Sequence, residues 1–386
     1  MILFLFACVS DEKNDTMTSD THLSDGAEDT ASMILERPEN LQGWYIDNER
    51  YPKAVCNDGS TPIFYLRPGI EDGRDKWILW FEGGGTCFSV EGCRARWQNE
   101  SHLMSTCVGE NCAEYAADVE KSKDGILSSL ADENPHLHDW NHVLLNYCSS
   151  DAWLGQREES LNTGLVELFF RGHYIAEATL STLLGDPVAN GYPSLADATE
   201  VVVAGSSAGA TGMRGHVDAF SERLRNAQVR ALSDATMVPI VQEEGEEEHI
   251  ATRQEQMEVW NAFTDQSCRA QHPDTIHQCI DGTFLLEKDA FHTPIFFHQD
   301  QSDPKAYSSN ASAVGVELSE EEKMYVHEEI RTLFSQYANG AYIPRKGNHV
   351  VVTTEQFHDR SLLNDISLAD AFWEWYQSGN AIHIEP

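Results

Sequence analysis

The sequence has few basic residues. Its 386 residues include only 26 Lys and Arg against 63 Asp and Glu, so the formal charge at pH 7 is −37. No stretch gathers Lys and Arg into the basic patch that nucleic acids require, and long-range repulsion opposes binding to polyanions, including anionic membrane surfaces. We therefore expect no nucleic-acid partner, and we interpret the acidity as that of a well-solvated surface.

No apolar run suggests a membrane span at the N-terminus, because residues 1–8 (MILFLFAC) are far too few to cross a bilayer. The segment resembles the end of a secretory signal with a lipoprotein cleavage box, which makes Cys8 a lipidation candidate. The alternative is a ragged N-terminus with a chance cysteine. Residues 9–40 are polar and acidic and predict a disordered tether. We expect residues 41–386 to form a single domain, exported and monomeric, with membrane attachment only through a lipidated Cys8.

The cysteines lack the C-x₂-C spacing of a zinc site, and we expect no metal. Of the nine cysteines, eight remain when Cys8 is set aside, and an even number suits disulfides formed in an oxidising compartment. Sequence proximity favours three local bridges and leaves one long-range pair, although eight cysteines allow many other pairings. The favoured pairs are Cys87–Cys93, Cys107–Cys112, Cys268–Cys279 and Cys56–Cys148.

The most informative motif is G-x-S-x-G at residues 205–209 (GSSAG). The β-branched run at residues 201–204 precedes it, and a helix-compatible segment at residues 210–224 follows. In a nucleophile elbow, the serine lies on a sharp turn between a strand and a helix. Ser207 is therefore the candidate nucleophile.

Elsewhere, predicted strands alternate with predicted helices, a pattern typical of an α/β fold with a mostly parallel central sheet flanked by helices. The charge run at residues 243–248 is interpreted as a solvated loop or helix start. We see no internal repeat. The strands are predicted at residues 76–81, 141–147, 201–204 and 294–298, with short edge strands within 44–66, and the helices at residues 174–184, 318–337 and 369–376.

A serine nucleophile needs a base and an orienting carboxylate, which follow it in the order acid, then histidine, in α/β-hydrolases. Asp300 and Asp303 both lie in the loop after the predicted strand at residues 294–298, so either can be the acid. His349, in the turn-forming sequence KGNHV, is the candidate base, and His358 and His383 are weaker alternatives.

The reaction also needs backbone N–H groups directed at the developing oxyanion. The residue after the nucleophile, Ala208, supplies one of them. A glycine run follows the strand KWILWF, where the second donor loop is expected, and we assign Gly84 and Gly85 to it. The alternative for this run is a plain tight turn.

Together these segments resemble the pectin acetylesterase and Notum carboxylesterase family. The resemblance extends over roughly residues 44–378, and it implies an extracellular α/β-hydrolase with a Ser-His-Asp triad and neither metal nor cofactor. The family's spacing between strand and acid, applied to the predicted strand at residues 294–298, favours Asp303 over Asp300 as the acid of the triad. The segments that carry the resemblance are residues 76–88 (KWILWFEGGGTCF), 146–155 (NYCSSDAWLG), 205–212 (GSSAGATG) and 294–303, followed by His349.

Two segments depart from the family pattern. Thr86 stands where an aromatic is usual, in a loop that borders the acyl pocket of the family, and residues 232–241 (LSDATMVPIV) keep an acid, Asp234, without the usual glycine and aromatic. We predict an ester hydrolase that removes acyl groups, with acetyl esters of a polysaccharide as the first expectation. The alternatives are a Notum-like deacylase of longer fatty acyl esters and a catalytically inactive binding lipoprotein.

Overall fold

The computed structural model describes residues 37–108, 115–116, 118, 120–185, 192–241 and 243–386. Predictions that concern Cys8, residues 1–36 and Cys112 fall outside these ranges. Arg37, which belongs to the end of the predicted tether, donates hydrogen bonds to the carbonyls of His138 and Trp140. No helix in the described ranges is long and apolar enough to cross a bilayer.

A ten-stranded sheet organises the described residues, with the order β14-β13-β12-β11-β10-β3-β7-β2-β1-β6. The strands from β14 to β7 in this order are parallel, and β2, β1 and β6 continue the sheet in antiparallel pairings. Two short hairpins, β4-β5 and β8-β9, lie outside it. The strands are β1 Leu41–Tyr45, β2 Ile63–Arg67, β3 Lys76–Phe81, β4 Cys107–Val108, β5 Tyr115–Ala116, β6 Glu120–Lys121, β7 Asn141–Leu145, β8 Leu161–Asn162, β9 Glu167–Leu168, β10 Glu200–Ser206, β11 Gln228–Asp234, β12 Ile295–His298, β13 Gly340–Ile343 and β14 Ala381–Ile384.

Helices connect the parallel strands, as the predicted alternation requires. A capping box is present at Ser319, at the start of the predicted helix, and the charge run at residues 243–248 begins a helix. In the described ranges the α-helices are α1 Val90–Glu100, α2 Gly172–Leu183, α3 Ala208–Arg223, α4 Glu243–Trp260, α5 Gln266–Gln271, α6 Gly282–Glu287, α7 Pro304–Val314, α8 Glu320–Tyr337 and α9 Leu368–Ser378.

The central strands are largely apolar because both faces of the sheet are covered. Successive side chains of a strand point to opposite faces, so Trp77 and Leu79 of β3 join one hydrophobic core while Ile78 and Trp80 join the other. Continuous apolar runs of this kind are typical of buried parallel strands. The predicted mostly parallel α/β architecture is thus confirmed.

The site is positioned by the neighbouring strands β3 and β10, which pair in register with Gly205 opposite Phe81. From β3 the chain continues to β7 on one side, and from β10 it continues to β11 on the other. Crevices at the carboxyl ends of strands form where the direction of winding reverses in this way. The glycine run after β3 and Ser207 after β10 therefore meet at one edge of the sheet.

Disulfides fasten the loops around this edge. The bonds Cys56–Cys148, Cys87–Cys93 and Cys268–Cys279 are formed. Cys107 is also disulfide-bonded.

Candidate active site

Ser207 lies on a strained turn between β10 and α3, with φ of 52° and ψ of −125°. The flanking glycines are required by close packing. A Cβ on Gly205 would lie 2.6 Å from the carbonyl oxygen of Gly209, and a Cβ on Gly209 would lie 2.0 Å from that of Phe81. Strain of this kind persists only where the surroundings enforce it, and it concentrates at functional sites. The local geometry is that of a nucleophile elbow.

The structure brings Ser207, His349 and Asp303 together. The Nε2 atom of His349 lies 2.9 Å from the Oγ of Ser207. On the other side of the ring, Nδ1 lies 2.9 Å from Oδ2 of Asp303 and 3.1 Å from its Oδ1. The carboxylate is fully buried, whereas the imidazole is 24% exposed. These contacts are those by which a base takes the proton of a hydroxyl while a carboxylate orients the base.

Asp303 is held by its place at the start of α7. As the N-cap residue it accepts a hydrogen bond from the backbone N–H of Lys305 at 2.8 Å. The side-chain amide of Gln299 donates to Oδ2 at 2.9 Å. The carboxylate that contacts His349 is therefore fixed by two further donors.

Asp300, the other candidate acid, has no hydrogen bond to His349. Its Oδ2 accepts from the backbone N–H of Asn348 at 2.7 Å and from the Asn348 side chain at 2.9 Å. Its Oδ1 lies 3.1 Å from Nε2 of His298. The structure thus places Asp300 behind the loop that carries His349.

A second buried histidine lies beside the first. The Nδ1 of His298 is 2.7 Å from Oδ1 of Asp234, so both ring nitrogens face carboxylates, and all three side chains are buried. A nitrogen that faces a carboxylate must carry a proton to donate a hydrogen bond, so the ring is an imidazolium. Burial alone would lower the pKa of His298, but the hydrogen bonds to Asp234 and Asp300 raise it to about 10.

The glycine loop lies directly against Ser207. A Cβ on Gly83 would lie 3.1 Å from the Cβ of Ser207, and Gly84 and Gly85 have φ values of 148° and 73°. The Arg96 side chain donates to the carbonyl of Gly84 at 2.6 Å, and the Tyr147 hydroxyl donates to that of Gly85 at 3.0 Å. These bonds fix the Gly84–Gly85 and Gly85–Thr86 peptide planes, which carry the N–H groups of Gly85 and Thr86.

Ala208 supplies the first N–H of α3, where the helix leaves its initial N–H groups without partners in the helix. The partial positive charge of a helix N-terminus also favours an anion there. Ala208, Gly84 and Gly85 all line the same cavity as Ser207 and His349.

That cavity has a volume of about 1080 Å³. Phe88, Val238 and Trp260 give it some apolar surface, and Thr86 borders it. Much of the remaining wall carries hydroxyl, amide or charged groups, contributed by Thr211, Arg214, Thr236, His249, Thr252, Arg253, Gln256, Asp281, Ser308, Ser309 and Ser312.

Sequence reasoning did not single out Arg96, Arg214 or His298. A signal for His298 was available, because it ends a predicted strand just before the candidate acids. Its partner Asp234 ends β11 and pairs with it in register across the sheet. Arg214 follows Ser207 by seven residues, which on a helix places it on the face of the nucleophile.

The pectinacetylesterase family description matches residues 36–384. Palmitoleoyl-protein carboxylesterase NOTUM of Drosophila melanogaster is 30% identical over 341 residues, which are 84% of this chain and 47% of that protein. Pectin acetylesterase 5 of Arabidopsis thaliana is 32% identical over 182 residues, 47% of this chain and 38% of that protein. The chain thus spans less than half the length of these curated relatives.

The structure of the Wnt deacylase Notum from Drosophila superimposes with a TM-score of 0.76 at 26% identity, covering 90% of this chain and 96% of that one. This match confirms the predicted α/β-hydrolase-like fold. Because the family match extends over nearly all the described residues, the chain belongs to the pectinacetylesterase family.

Proposed function

We propose that this protein is a serine carboxylic ester hydrolase with Ser207 as nucleophile, His349 as base and Asp303 as the orienting acid. The observation that carries the proposal is the pair of 2.9 Å contacts that His349 makes, one to Ser207 Oγ and one to Asp303 Oδ2. The names of the relatives, a carboxylesterase and a pectin acetylesterase, support the same reaction class.

The reaction has two halves. His349 takes the hydroxyl proton as Ser207 Oγ attacks the ester carbonyl, and the N–H groups of Gly84, Gly85 and Ala208 bind the oxyanion. His349 then donates that proton to the leaving alkoxide, and the acyl group remains on Ser207. A water molecule, deprotonated by His349, attacks the acyl-enzyme and releases the carboxylic acid and free serine.

We propose that the acyl group is short, of which acetyl is the smallest, and that it is removed from a carbohydrate or another hydroxyl-bearing substrate. The polar wall of the cavity supports this choice. An alkyl chain gains about 0.8 kcal/mol for each methylene that it buries against apolar surface, but hydroxyls and charges stripped of water offset that gain.

We also propose that the protein is exported. Stable disulfides are typical of oxidising compartments outside the cytosol, and the described residues contain three complete ones. Fractionation of cells that produce the full chain, with labelling by a radioactive fatty acid, tests both export and lipidation of Cys8. A reduced, cytosolic protein would contradict the proposal.

Hydrolysis of 4-nitrophenyl esters from acetyl to palmitoyl tests the reaction and the acyl length together. We expect kcat/KM to be highest for short chains and Ser207→Ala to lower kcat by on the order of 10⁴ to 10⁶. Wild-type protein should react covalently with a fluorophosphonate, and Ser207→Ala should not. An inactive, unlabelled wild type would indicate a binding protein, and a maximum at long chains would indicate a fatty deacylase.

A further inference from the structure

The cavity beside Ser207 contains a buried arginine without a charged partner. Arg214 of α3 is 1% exposed, and among the described residues no carboxylate lies within ion-pairing distance of it. Within the described part of the chain, its guanidinium donates to neutral hydroxyls: to Ser233 at 2.9 Å, and to Thr211 and Thr236 at 3.2 Å. Its Nε is buried with no hydrogen-bond partner. An uncompensated charge of this kind is costly to bury.

A second guanidinium faces the same part of the cavity. Arg253 of α4 lines it and contacts Asp281 at 3.3 Å, and His249 contacts the same carboxylate oxygen at 2.6 Å. Burial lowers the pKa of Arg214 to about 10. The charge of Asp281 opposes this shift, and the charge of Arg253 adds to it. The Asp281 carboxylate thus contacts Arg253 and His249, and its charge also acts on Arg214 over a longer distance.

The site is a short distance from the nucleophile. Thr211, whose hydroxyl accepts from Arg214, follows Ser207 by four residues of helix, so at 1.5 Å per residue its Cα lies about 6 Å further along the axis. The Arg214 guanidinium folds back to that hydroxyl. Because carbon–carbon bonds measure about 1.5 Å, the acyl chain of a dicarboxylic acid of about four to six carbons covers this span.

We propose that Arg214 and Arg253 form a subsite for a carboxylate at the far end of the acyl group, so that the preferred substrates are hemiesters of short dicarboxylic acids. The proposal rests on the ester hydrolysis proposed above. A guanidinium presents paired N–H donors that match a carboxylate. The acyl side is favoured because Arg214 is fully buried, whereas the leaving alcohol departs past His349, which is partly exposed.

The test compares 4-nitrophenyl hemiesters of glutaric and adipic acid with the neutral 4-nitrophenyl esters of valeric and hexanoic acid. The readout is the ratio of kcat/KM for the hemiester to that for the neutral ester of equal chain length. We expect a ratio of about ten to one hundred, the value of one good hydrogen-bonded charge pair. A wild-type ratio of one or below overturns the proposal.

Three variants locate the effect. Arg253→Met should bring the ratio close to one, and Arg214→Lys should lower it, because a lysine keeps the charge without the paired donors. The matched control is Arg223→Met, which removes the same charge at the far end of α3, where Arg223 pairs with Glu177. Equal ratios in Arg223→Met and Arg253→Met would contradict the proposal.

Binding to Ser207→Ala protein separates this proposal from the proposed function. Calorimetry should detect adipate but not its neutral diamide, and Arg253→Met should weaken adipate binding at least about tenfold. If adipate binds but no ester is hydrolysed, the function fails and the subsite stands. If the neutral esters are hydrolysed by Ser207 but adipate does not bind, the subsite fails.

A second comparison tests which side of the ester carries the carboxylate. A higher kcat/KM for 4-acetoxybenzoate than for 4-acetoxybenzamide, without a preference for hemiesters, would place the carboxylate on the leaving alcohol and overturn the acyl-side assignment.

Discussion

One histidine, His298, ends β12, and another, His349, lies in the loop that follows the neighbouring strand β13; each contacts an aspartate through Nδ1. His349 has a hydroxyl, that of Ser207, on its other nitrogen, and its side chain is 24% exposed. His298 has a second carboxylate, that of Asp300, on its other nitrogen, and it is completely buried. The same residue types thus occur in two arrangements within one site.

The comparison shows that the partner of the second nitrogen decides what a histidine can do. A base must release and take up a proton near neutral pH, and His349 faces a hydroxyl that can deliver one. His298 is held as a cation between two carboxylates, and the same bonds raise its pKa to about 10. It is suited to hold neighbouring groups in place rather than to exchange protons.

The second arrangement also holds the first. Asp300 accepts two hydrogen bonds from Asn348, directly before His349, while Oδ2 of Asp234 accepts from the N–H groups of Val351 and Val352 just after it. The carbonyl of Asp234 accepts from the N–H of Ser207 at 2.9 Å. The buried charges therefore fix both the loop that carries His349 and the turn that carries Ser207.

The largest expected effect separates the two acids. Asp303→Asn should lower kcat by about 10⁴, because the amide can no longer hold His349 in the required tautomer. Steady-state hydrolysis of 4-nitrophenyl acetate measures this, with thermal unfolding to verify the fold. An equal or larger loss in Asp300→Asn would assign the orienting role to Asp300.

The next effect concerns stability. His298→Gln leaves Asp234 and Asp300 buried without a cation, and breaking a buried pair in this way costs about 3 to 5 kcal/mol. Denaturant unfolding near pH 6 measures the free energy. The control is His383→Gln, which removes a surface histidine paired with Glu374 and should change the free energy by less than about 0.5 kcal/mol.

A double variant sharpens this result. Adding Asp300→Asn to His298→Gln removes one of the uncompensated carboxylates, so part of the lost stability should return. If the losses of unfolding free energy in the two single variants simply add in the double variant, His298 and Asp300 do not interact in the way that their 3.1 Å contact indicates.

A smaller effect on activity is expected from Asp300→Asn alone. The amide oxygen can still accept from Asn348, but the charged hydrogen bonds are lost, each worth about 1.5 to 3 kcal/mol at most. We expect kcat to fall about tenfold, with KM nearly unchanged, because His349 shifts while the cavity does not. A change confined to KM would contradict a role in positioning the base.

Much of this site could be predicted from sequence because its chemistry follows chain order. The elbow motif, the glycine run and the order of acid before histidine pointed to Ser207, to Asp300 or Asp303, and to His349. Only the resemblance to the family, through its spacing after the strand, favoured Asp303. What distinguishes them is local: Pro304 begins α7 and makes Asp303 its N-cap, which holds that carboxylate towards His349.

The buried cluster and the arginines could not be predicted in the same way. Asp234 and His298 are 64 residues apart and meet only because β11 and β12 pair in a particular register. Arg214 and Arg253 lie on helices whose relative placement no local pattern encodes. Groups that act through the packing of distant segments leave no fixed spacing in the chain.

The smallest predicted effect, counted per pH unit, is a pH dependence of stability that comes from the charge of His298. Because folding raises its pKa from 6.5 to about 10, its contribution to stability is complete below pH 6.5 and declines as the pH rises towards 10. The stability advantage of the wild type over His298→Gln should therefore shrink by about 1 kcal/mol per pH unit between pH 7 and 9. Denaturant unfolding of both proteins across this range measures the difference. Protonation of Asp234 or Asp300 in the variant would make the decline shallower, because loss of the cation raises the pKa of a buried carboxylate. An advantage of the wild type that grows with pH would mean that His298 is neutral in the folded protein, and the contrast with His349 would then disappear.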